Sequence, residues 1–185
     1  MAEAVGTTYE AAAGIEPLTP LALPTDNSVA VATKADLLPE PRGVWEVLLP
    51  DRAVGMKVEG GKLVVLTRDE SISTIAPEGS AGEPKPLDAA AYAKAAEEFQ
   101  PADIKAEASK VEKASPIPGR IIKRLAAAGG RTAVGYWGGL LRVLDADGKP
   151  VAAHQFQHDV TFVAWLGETL AVGLSDGRVV GLTVK

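Results

Sequence analysis

The sequence predicts an all-β chain of repeated antiparallel meanders that a helical insertion interrupts. Residues 132–146 (TAVGYWGGLLRVLDA) and 170–184 (LAVGLSDGRVVGLTV) share an Ala-Val-Gly strand, a two-residue turn and a second apolar run. The two copies begin 38 residues apart, and residues 63–76 repeat the outline. A repeat of about 40 residues built from hairpins is typical of the blades of a β-propeller. We therefore expect a propeller-like fold with about three and a half blades.

The first part of the chain divides into an arm and a meander. Residues 1–27 are rich in Ala, Thr and Pro and are predicted to form an irregular N-terminal arm, which leaves residues 28–185 for the propeller-like domain. Apolar runs separated by Gly-Gly and Asp-Glu turns predict the first strands of that domain. These strands are predicted at residues 28–33, 43–49, 52–58, 62–67 and 71–76.

Residues 77–115 break the pattern and are predicted to be an insertion between two repeats. A loop is expected at 77–86, and two segments rich in Ala, Glu and Lys, 87–99 and 102–114, predict helices. Two interpretations are open: a solvated helical hairpin that caps a blade, or a docking element for a partner. The apolar side chains that would carry docking are Leu87, Tyr92, Phe99, Ile104 and Val111.

The last third of the chain is predicted to form two blades, the final one with only three strands. The strands are predicted at residues 120–126, 131–136, 140–145, 151–156, 160–166, 169–175 and 178–184. The turn residues with a structural role are Gly138, Gly139, Asp147, Gly148, Asp176 and Gly177. An unpaired edge at 178–184 would invite another strand, so we expect closure by the N-terminal arm, by a second copy or by another protein.

Two segments carry a resemblance to a known superfamily. Residues 158–177 contain His-Asp-Val, then Ala-Trp, then Asp-Gly, and residues 144–149 read LDADGK. This skeleton resembles the blades of the WD-repeat and quinoprotein-like β-propellers, over roughly residues 28–76 and 116–185. No Trp-Asp dipeptide closes a blade, so the resemblance implies propeller architecture without a particular subfamily.

Composition and charge narrow the possible functions. The chain has no cysteine, which leaves no thiolate nucleophile and no cysteine metal site. The formal net charge is −5, which gives no general attraction to nucleic acid. No apolar run is long enough to span a membrane, and the first 25 residues show no basic and apolar leader. We expect a cytoplasmic protein, with a periplasmic or secreted location left open.

The residue types that usually carry catalysis are placed where structural roles explain them. His154 and His158 are the only histidines, and four residues of strand separate them by about 13 Å, too far for one metal ion. The turn aspartates suit local backbone hydrogen bonds. No phosphate-binding glycine loop and no serine-nucleophile motif is present. We therefore expect no catalytic residues, no metal and no cofactor.

An interaction surface is the remaining hypothesis for function. Trp137 lies beside a Gly-Gly turn and is the best single candidate for a contact residue, because exposed tryptophans often dominate binding energy. Too few aromatic residues accompany the basic cluster of Arg120, Lys123, Arg124 and Arg131 for nucleic-acid binding. The candidate interaction residues are Trp137, Tyr136, Tyr92, Phe99, Arg120, Lys123 and Arg124.

Three functions fit these observations. The first is a non-catalytic interaction or scaffold module, completed by a protein partner or a second copy. The second is a fragment or subunit of a quinoprotein-type dehydrogenase, which the resemblance allows but which lacks the vicinal cysteines of that group. The third is a structural subunit of a large assembly.

Overall fold

The computed structural model of the chain describes residues 38–99 and 103–184. The strands in the first half are β1 (Arg42–Leu48), β2 (Ala53–Glu59), β3 (Lys62–Thr67), β4 (Ser71–Ile75) and β5 (Lys85–Pro86). The helices are α1 (Ala89–Glu98) and α2 (Lys105–Ala114). The remaining strands are β6 (Ile122–Ala128), β7 (Arg131–Tyr136), β8 (Leu140–Leu144), β9 (Pro150–Gln155), β10 (Val160–Leu166), β11 (Thr169–Leu174) and β12 (Arg178–Thr183).

The strands form three four-stranded antiparallel blades, so the chain is a partial β-propeller with a helical insertion. The first blade has the order β2-β3-β4-β5, the second β6-β7-β8-β9, and the third β10-β11-β12-β1. The first strands of the blades meet, because β10 contacts both β6 and β2. The predicted run 28–33 and the arm 1–27 lie outside the described residues.

The third blade is complete, and this corrects the expectation that its edge is open. β1 pairs with β12 from Arg42 opposite Thr183 to Leu48 opposite Arg178. The closing strand is thus the segment predicted at 43–49, and neither the arm at 1–27 nor a second molecule is needed to supply it. The physical reason is that the edge of β12 presents a row of backbone N–H and C=O groups, which pair with another strand when one is within reach.

Trp45 fastens this closing strand. Its ring lies against the α-carbons of Gly181 on β12 and Gly79 in the loop after β4, where any β-carbon would overlap the indole. Its Nε1 donates a hydrogen bond to the carbonyl oxygen of Pro77 at 2.9 Å. One side chain therefore ties β1 to the third blade and to the loop of the first blade.

The third blade lies between the other two and is buried on both faces. Side chains along its strands alternate between two apolar clusters, as the period of a strand requires. One face packs against the second blade through Leu170, Val172, Leu174 and Leu182, which meet Ala133, Leu141, Val143 and Ala152. The other face packs against the first blade through Phe162, Leu166, Ala171 and Val179, which meet Ala53, Leu63, Val65 and Ile75.

The first and second blades each have one face turned away from the third, and the insertion covers part of both. Phe99, which ends α1, is 5% exposed and lies against Gly55 of the first blade, where a β-carbon would overlap it. Val111 of α2 packs with Ile122, Val134 and Leu144 of the second blade. The described strands of these two blades have no extensive contact with each other.

A buried arginine holds the end of α2 against the second blade. Arg142 of β8 is 8% exposed, and its guanidinium donates to the side chain of Ser115 at 2.8 Å and to the carbonyl of Ser115 at 3.2 Å. Ser115 is the C-cap of α2, where the helix dipole favours a cation. The charge therefore has hydrogen-bond partners despite its burial.

The structure matches most predicted boundaries and differs at one point. Both helices and eleven of the twelve strands lie where their patterns predicted them. The exception is β5, only two residues long, inside the segment 77–86 that we predicted as a loop. The insertion is attached to the blades, because Phe99 and Val111 are buried against them.

Gly181→Ala tests the closure of the third blade. We expect the free energy of unfolding to fall by about 1–3 kcal/mol, because the new methyl group would displace the Trp45 ring. Urea denaturation is the measurement. The matched control is Gly43→Ala, on the other strand of the pair, where no heavy atom lies within 4 Å of the added carbon. Equal losses in the two variants would contradict the role of Trp45.

Replacing residues 87–114 with a short Gly/Ser linker tests the insertion. Each large apolar side chain returned to water costs about 1.5–3 kcal/mol, a large part of the total stability of an ordinary domain. We expect a clear loss of thermal stability in circular dichroism. The control changes Lys94 and Glu97, both exposed on α1, to Ala and should retain stability. An unchanged melting temperature in the linker variant would show that the helices do not stabilise the sheet.

Candidate interaction site

The candidate site is built on the turn between β7 and β8. Gly138 and Gly139 have φ angles of 83° and 79°, a region that favours glycine. A β-carbon on Gly139 would lie only 2.5 Å from the carbonyl oxygen of Phe156, so the turn also needs glycine for space. The backbone therefore turns sharply just after Trp137.

Two side chains from neighbouring segments fix this turn. The Oδ1 of Asp159 accepts a hydrogen bond from the backbone N–H of Gly138 at 2.9 Å. The Nε2 of Gln155 donates to the carbonyl oxygen of Gly138 at 2.6 Å. The backbone N–H of Trp137 donates to the carbonyl of Ile121 at 2.9 Å. These contacts hold the Trp137 backbone on a rigid base.

The Trp137 side chain is exposed and is surrounded by basic groups. It is 58% exposed, and Ile121 beside it is 63% exposed. The Nζ atom of Lys123 lies 3.9 Å from the centroid of the indole ring, within the range of a cation–π contact. Arg120 donates to the carbonyl oxygen of Trp137 at 3.2 Å. We call Arg120, Ile121, Lys123 and Trp137 the Trp137 surface.

Arg124 has a different environment, between the second and third blades. Its Nε donates to the carbonyl oxygen of Thr161, its Nη1 donates to that of Lys123 at 2.8 Å, and its guanidinium lies 5.0 Å from the Phe162 ring. Burial lowers the pKa of Arg124 below its ordinary value. Arg124 therefore joins the second and third blades next to the Trp137 surface.

A small cavity of about 200 Å³ opens beside the Trp137 surface. Its lining residues are Lys123, Arg124, Tyr136, Trp137, Asp159, Val160 and Thr161. Tyr136 is 2% exposed, so it cannot present its ring to a partner, and this corrects its prediction as a contact residue. Strand β7 alternates, which turns Tyr136 into the cluster with Val111 and Leu144.

The structure thus brings together five of the seven predicted interaction residues. Arg120, Lys123, Arg124, Tyr136 and Trp137 meet at the start of the second blade. Tyr92 and Phe99 lie in the insertion instead. Phe99 is not an exposed contact residue, since it is buried on the first blade beneath the ammonium of Lys57, 4.8 Å from the ring centroid.

The two histidines lie in different surroundings. The Nε2 of His158 is 3.4 Å from Oδ2 of Asp176. The ring of His154 packs edge-on against Phe156, with centroids 4.5 Å apart. Within residues 38–99 and 103–184, no group of three or more His, Asp or Glu side chains has the arrangement of a metal site.

The turn aspartates bind local backbone and side chains. Asp145 accepts hydrogen bonds from the N–H groups of Asp147 and Lys149 at 3.0 and 2.8 Å, so the capping carboxylate of that turn is Asp145. Asp176 accepts from Nε of Arg178 at 2.6 Å. Burial raises the pKa of Asp176, but the hydrogen bonds and charge of Arg178 outweigh burial and leave that pKa below its ordinary range.

Sequence reasoning missed three residues that shape the site. Ile121 belongs to an apolar run that looked like buried strand, and only the fold shows that it lies on the surface. Asp159 and Gln155 are far from Gly138 in sequence, and no pattern in the chain indicates their hydrogen bonds. Asp159 does fall in the His-Asp-Val segment that resembles a WD repeat, and this was the one available signal.

Comparisons with known proteins give no family for this chain. No protein-family model matches the chain, and no curated protein matches it by sequence. Among solved structures, BamB from Moraxella catarrhalis is 12% identical with a TM-score of 0.33, over 70% of this chain and 32% of that one. The Swd1 propeller domain from Myceliophteria thermophila is 15% identical with a TM-score of 0.33, over 72% and 40%.

A designed protein, Ika4, is 15% identical with a TM-score of 0.33, over 70% of this chain and 64% of its own. The chain therefore spans less than two thirds of each of these structures. Likeness at this level transfers no function. In the part of the chain that the structure describes, no helix is long and apolar enough to cross a membrane.

Asp176→Asn tests the electrostatics of the last turn. Because the folded state lowers the pKa of Asp176, the carboxylate stabilises the fold above its unfolded pKa of about 3.9 and loses that effect as the pH falls through the folded pKa. We expect the variant to be less stable than the original chain at pH 5 and the difference to shrink at pH 2. Chemical denaturation at both pH values measures this. Glu168→Gln, in another turn of the same blade, is the control, and a pH-independent difference would contradict the assignment.

Proposed function

We propose that this propeller module is a non-catalytic interaction domain that binds a carboxylate-rich segment of a protein partner at the Trp137 surface. The observation that carries the proposal is the exposed indole with the Lys123 ammonium 3.9 Å from its ring centroid. Such a pair offers an apolar area and positive charge together. Tryptophan and arginine are also the residue types that most often dominate binding energy.

The rigidity of the site supports the proposal. A side chain that is already ordered loses less conformational entropy on binding. The Trp137 backbone is held by Ile121, and the next residue is held by Asp159 and Gln155. The indole therefore projects from a base that needs little rearrangement to meet a partner.

The local charge supports an acidic partner. Residues 116–185 carry 8 basic and 5 acidic groups, a net charge of +3, although the whole chain is at −5. Lys123 and Arg120 lie on the rim of the indole, where carboxylates of a bound segment would meet them. Opposite charge at the rim speeds association and selects among partners.

Two observations favour a non-catalytic role over the dehydrogenase alternative. His158, in the connection between β9 and β10, contacts Asp176 in the turn between β11 and β12, and Asp145 caps its own turn. The polar groups that could carry chemistry are thus placed in turn hydrogen bonds. A role as a subunit of a larger assembly is compatible with the same surface and differs only in the number of partners.

Binding of a fluorescein-labelled peptide of sequence EEFEEF tests the proposal by fluorescence anisotropy. We expect Trp137→Ala to weaken binding by about tenfold or more. Lys123→Glu should also weaken binding, and its effect should be larger at low salt, where charges are less screened. The matched controls are Leu48→Ala, which removes an exposed apolar side chain elsewhere, and Lys62→Glu, which makes the same charge change on the first blade.

Two results would count against the proposal. One is that Trp137→Ala and Leu48→Ala bind the peptide equally well. The other is that the peptide SSFSSF binds as tightly as EEFEEF, since charge would then have no part in recognition.

A further inference from the structure

A groove separates α2 from the outer face of the second blade. Its volume is about 440 Å³, within the range of about 300–1,000 Å³ that ligand pockets occupy. Val111 and Leu144 form its buried floor, with Ile104 and Leu125 half-buried above them.

The two walls of this groove are fixed to each other. Arg142 binds the C-cap of α2 through Ser115. Near the same end, a β-carbon on Gly148 would lie 3.0 Å from Cβ of Ala114, so the turn after β8 closely approaches the helix. The groove therefore exists before any occupant arrives, and its half-buried apolar residues, Ile104 and Leu125, remain partly exposed.

The rim of the groove is acidic. Among the described residues that line it, Asp103, Glu107, Asp145 and Asp147 are acidic and Lys110 is the one cation. The ammonium of Lys110 is already paired with Glu107 at 2.8 Å. An occupant that fits must therefore bring apolar atoms for the floor and positive charge for the rim.

We propose that the groove binds a segment of a partner protein in which one or two aliphatic side chains are flanked by lysine or arginine. Charge complementarity decides among occupants. Residues 1–37 of this chain carry 5 acidic groups and 1 basic group, so this segment would be repelled by the same rim. The groove and the Trp137 surface select opposite charges, and this inference is independent of the proposed function.

The test follows the methyl resonances of Ile104, Val111, Leu125 and Leu144 while the peptide KRLLRK is added to the full chain. We expect shifts in these methyl groups that saturate, and little change at the indole of Trp137. The control peptides are KRSSRK, which lacks the apolar anchor, and EELLEE, which reverses the charge. Neither should produce saturating shifts.

Two variants separate the groove from a general surface effect. Ala127→Phe should weaken KRLLRK binding by about tenfold or more, because the ring would fill a groove that Ala127 lines. Its matched control is Ala128→Phe, on the next residue of β6, which lines a different cavity and should bind normally. Asp147→Asn should weaken binding two- to fivefold, roughly the strength of an exposed charge pair.

Several outcomes would overturn the inference. Saturating shifts with EELLEE, or equal binding by the two phenylalanine variants, would show that the groove is not the site. Methyl shifts that depend on protein concentration alone would identify a second copy as the occupant. Methyl shifts on removal of residues 1–37 would identify that segment of the chain as the occupant.

Discussion

A β-sheet with apolar side chains on both faces must have both faces covered, and this requirement organises the whole molecule. The third blade meets it through the other two blades, which supply one apolar cluster each. The outer faces of the first and second blades have no blade against them among the described residues. Phe99 at the end of α1 covers part of one, and Val111 of α2 covers part of the other. In this arrangement the insertion takes the place that a neighbouring blade has in a closed ring.

Both proposed binding surfaces lie at the edges of the packed blades. The Trp137 surface lies at a turn, where the second blade meets the third. The groove lies where a helix covers a sheet less completely than a blade would. A helix meets a flat sheet along one stripe of side chains, so space remains beside that stripe. The space of the groove beside α2 is a consequence of that incomplete cover.

Much of this fold follows from local pattern, and the rest depends on contacts distant in sequence. Alternating runs and glycine turns are local signals, and they located nearly every strand. The two-residue strand β5 has no such signal, because a pairing so short has no periodicity. The pairing of β1 with β12 joins residues 130 to 141 positions apart, so the sequence indicated the need for a closing strand without identifying it. At the site, the basic cluster and Trp137 were visible locally. The burial of Tyr136 and Phe99 was not, because an aromatic ring beside a turn or on a helix can face either way until the neighbouring sheet is in place.

The pairing of β1 with β12 also determines how the chain responds to force. The strands are antiparallel, so Arg42 and Thr183 lie together at one end of the ladder, and Leu48 and Arg178 lie together at the other. Tension applied to the segments that flank Arg42 and Thr183 acts across the strands and opens their hydrogen bonds one pair at a time. A parallel pair pulled from opposite ends would instead resist in shear, with all of its bonds loaded together. This pair of strands therefore opens most easily from its Arg42 and Thr183 end, with the packing of Trp45 on Gly181 as a large obstacle along the ladder.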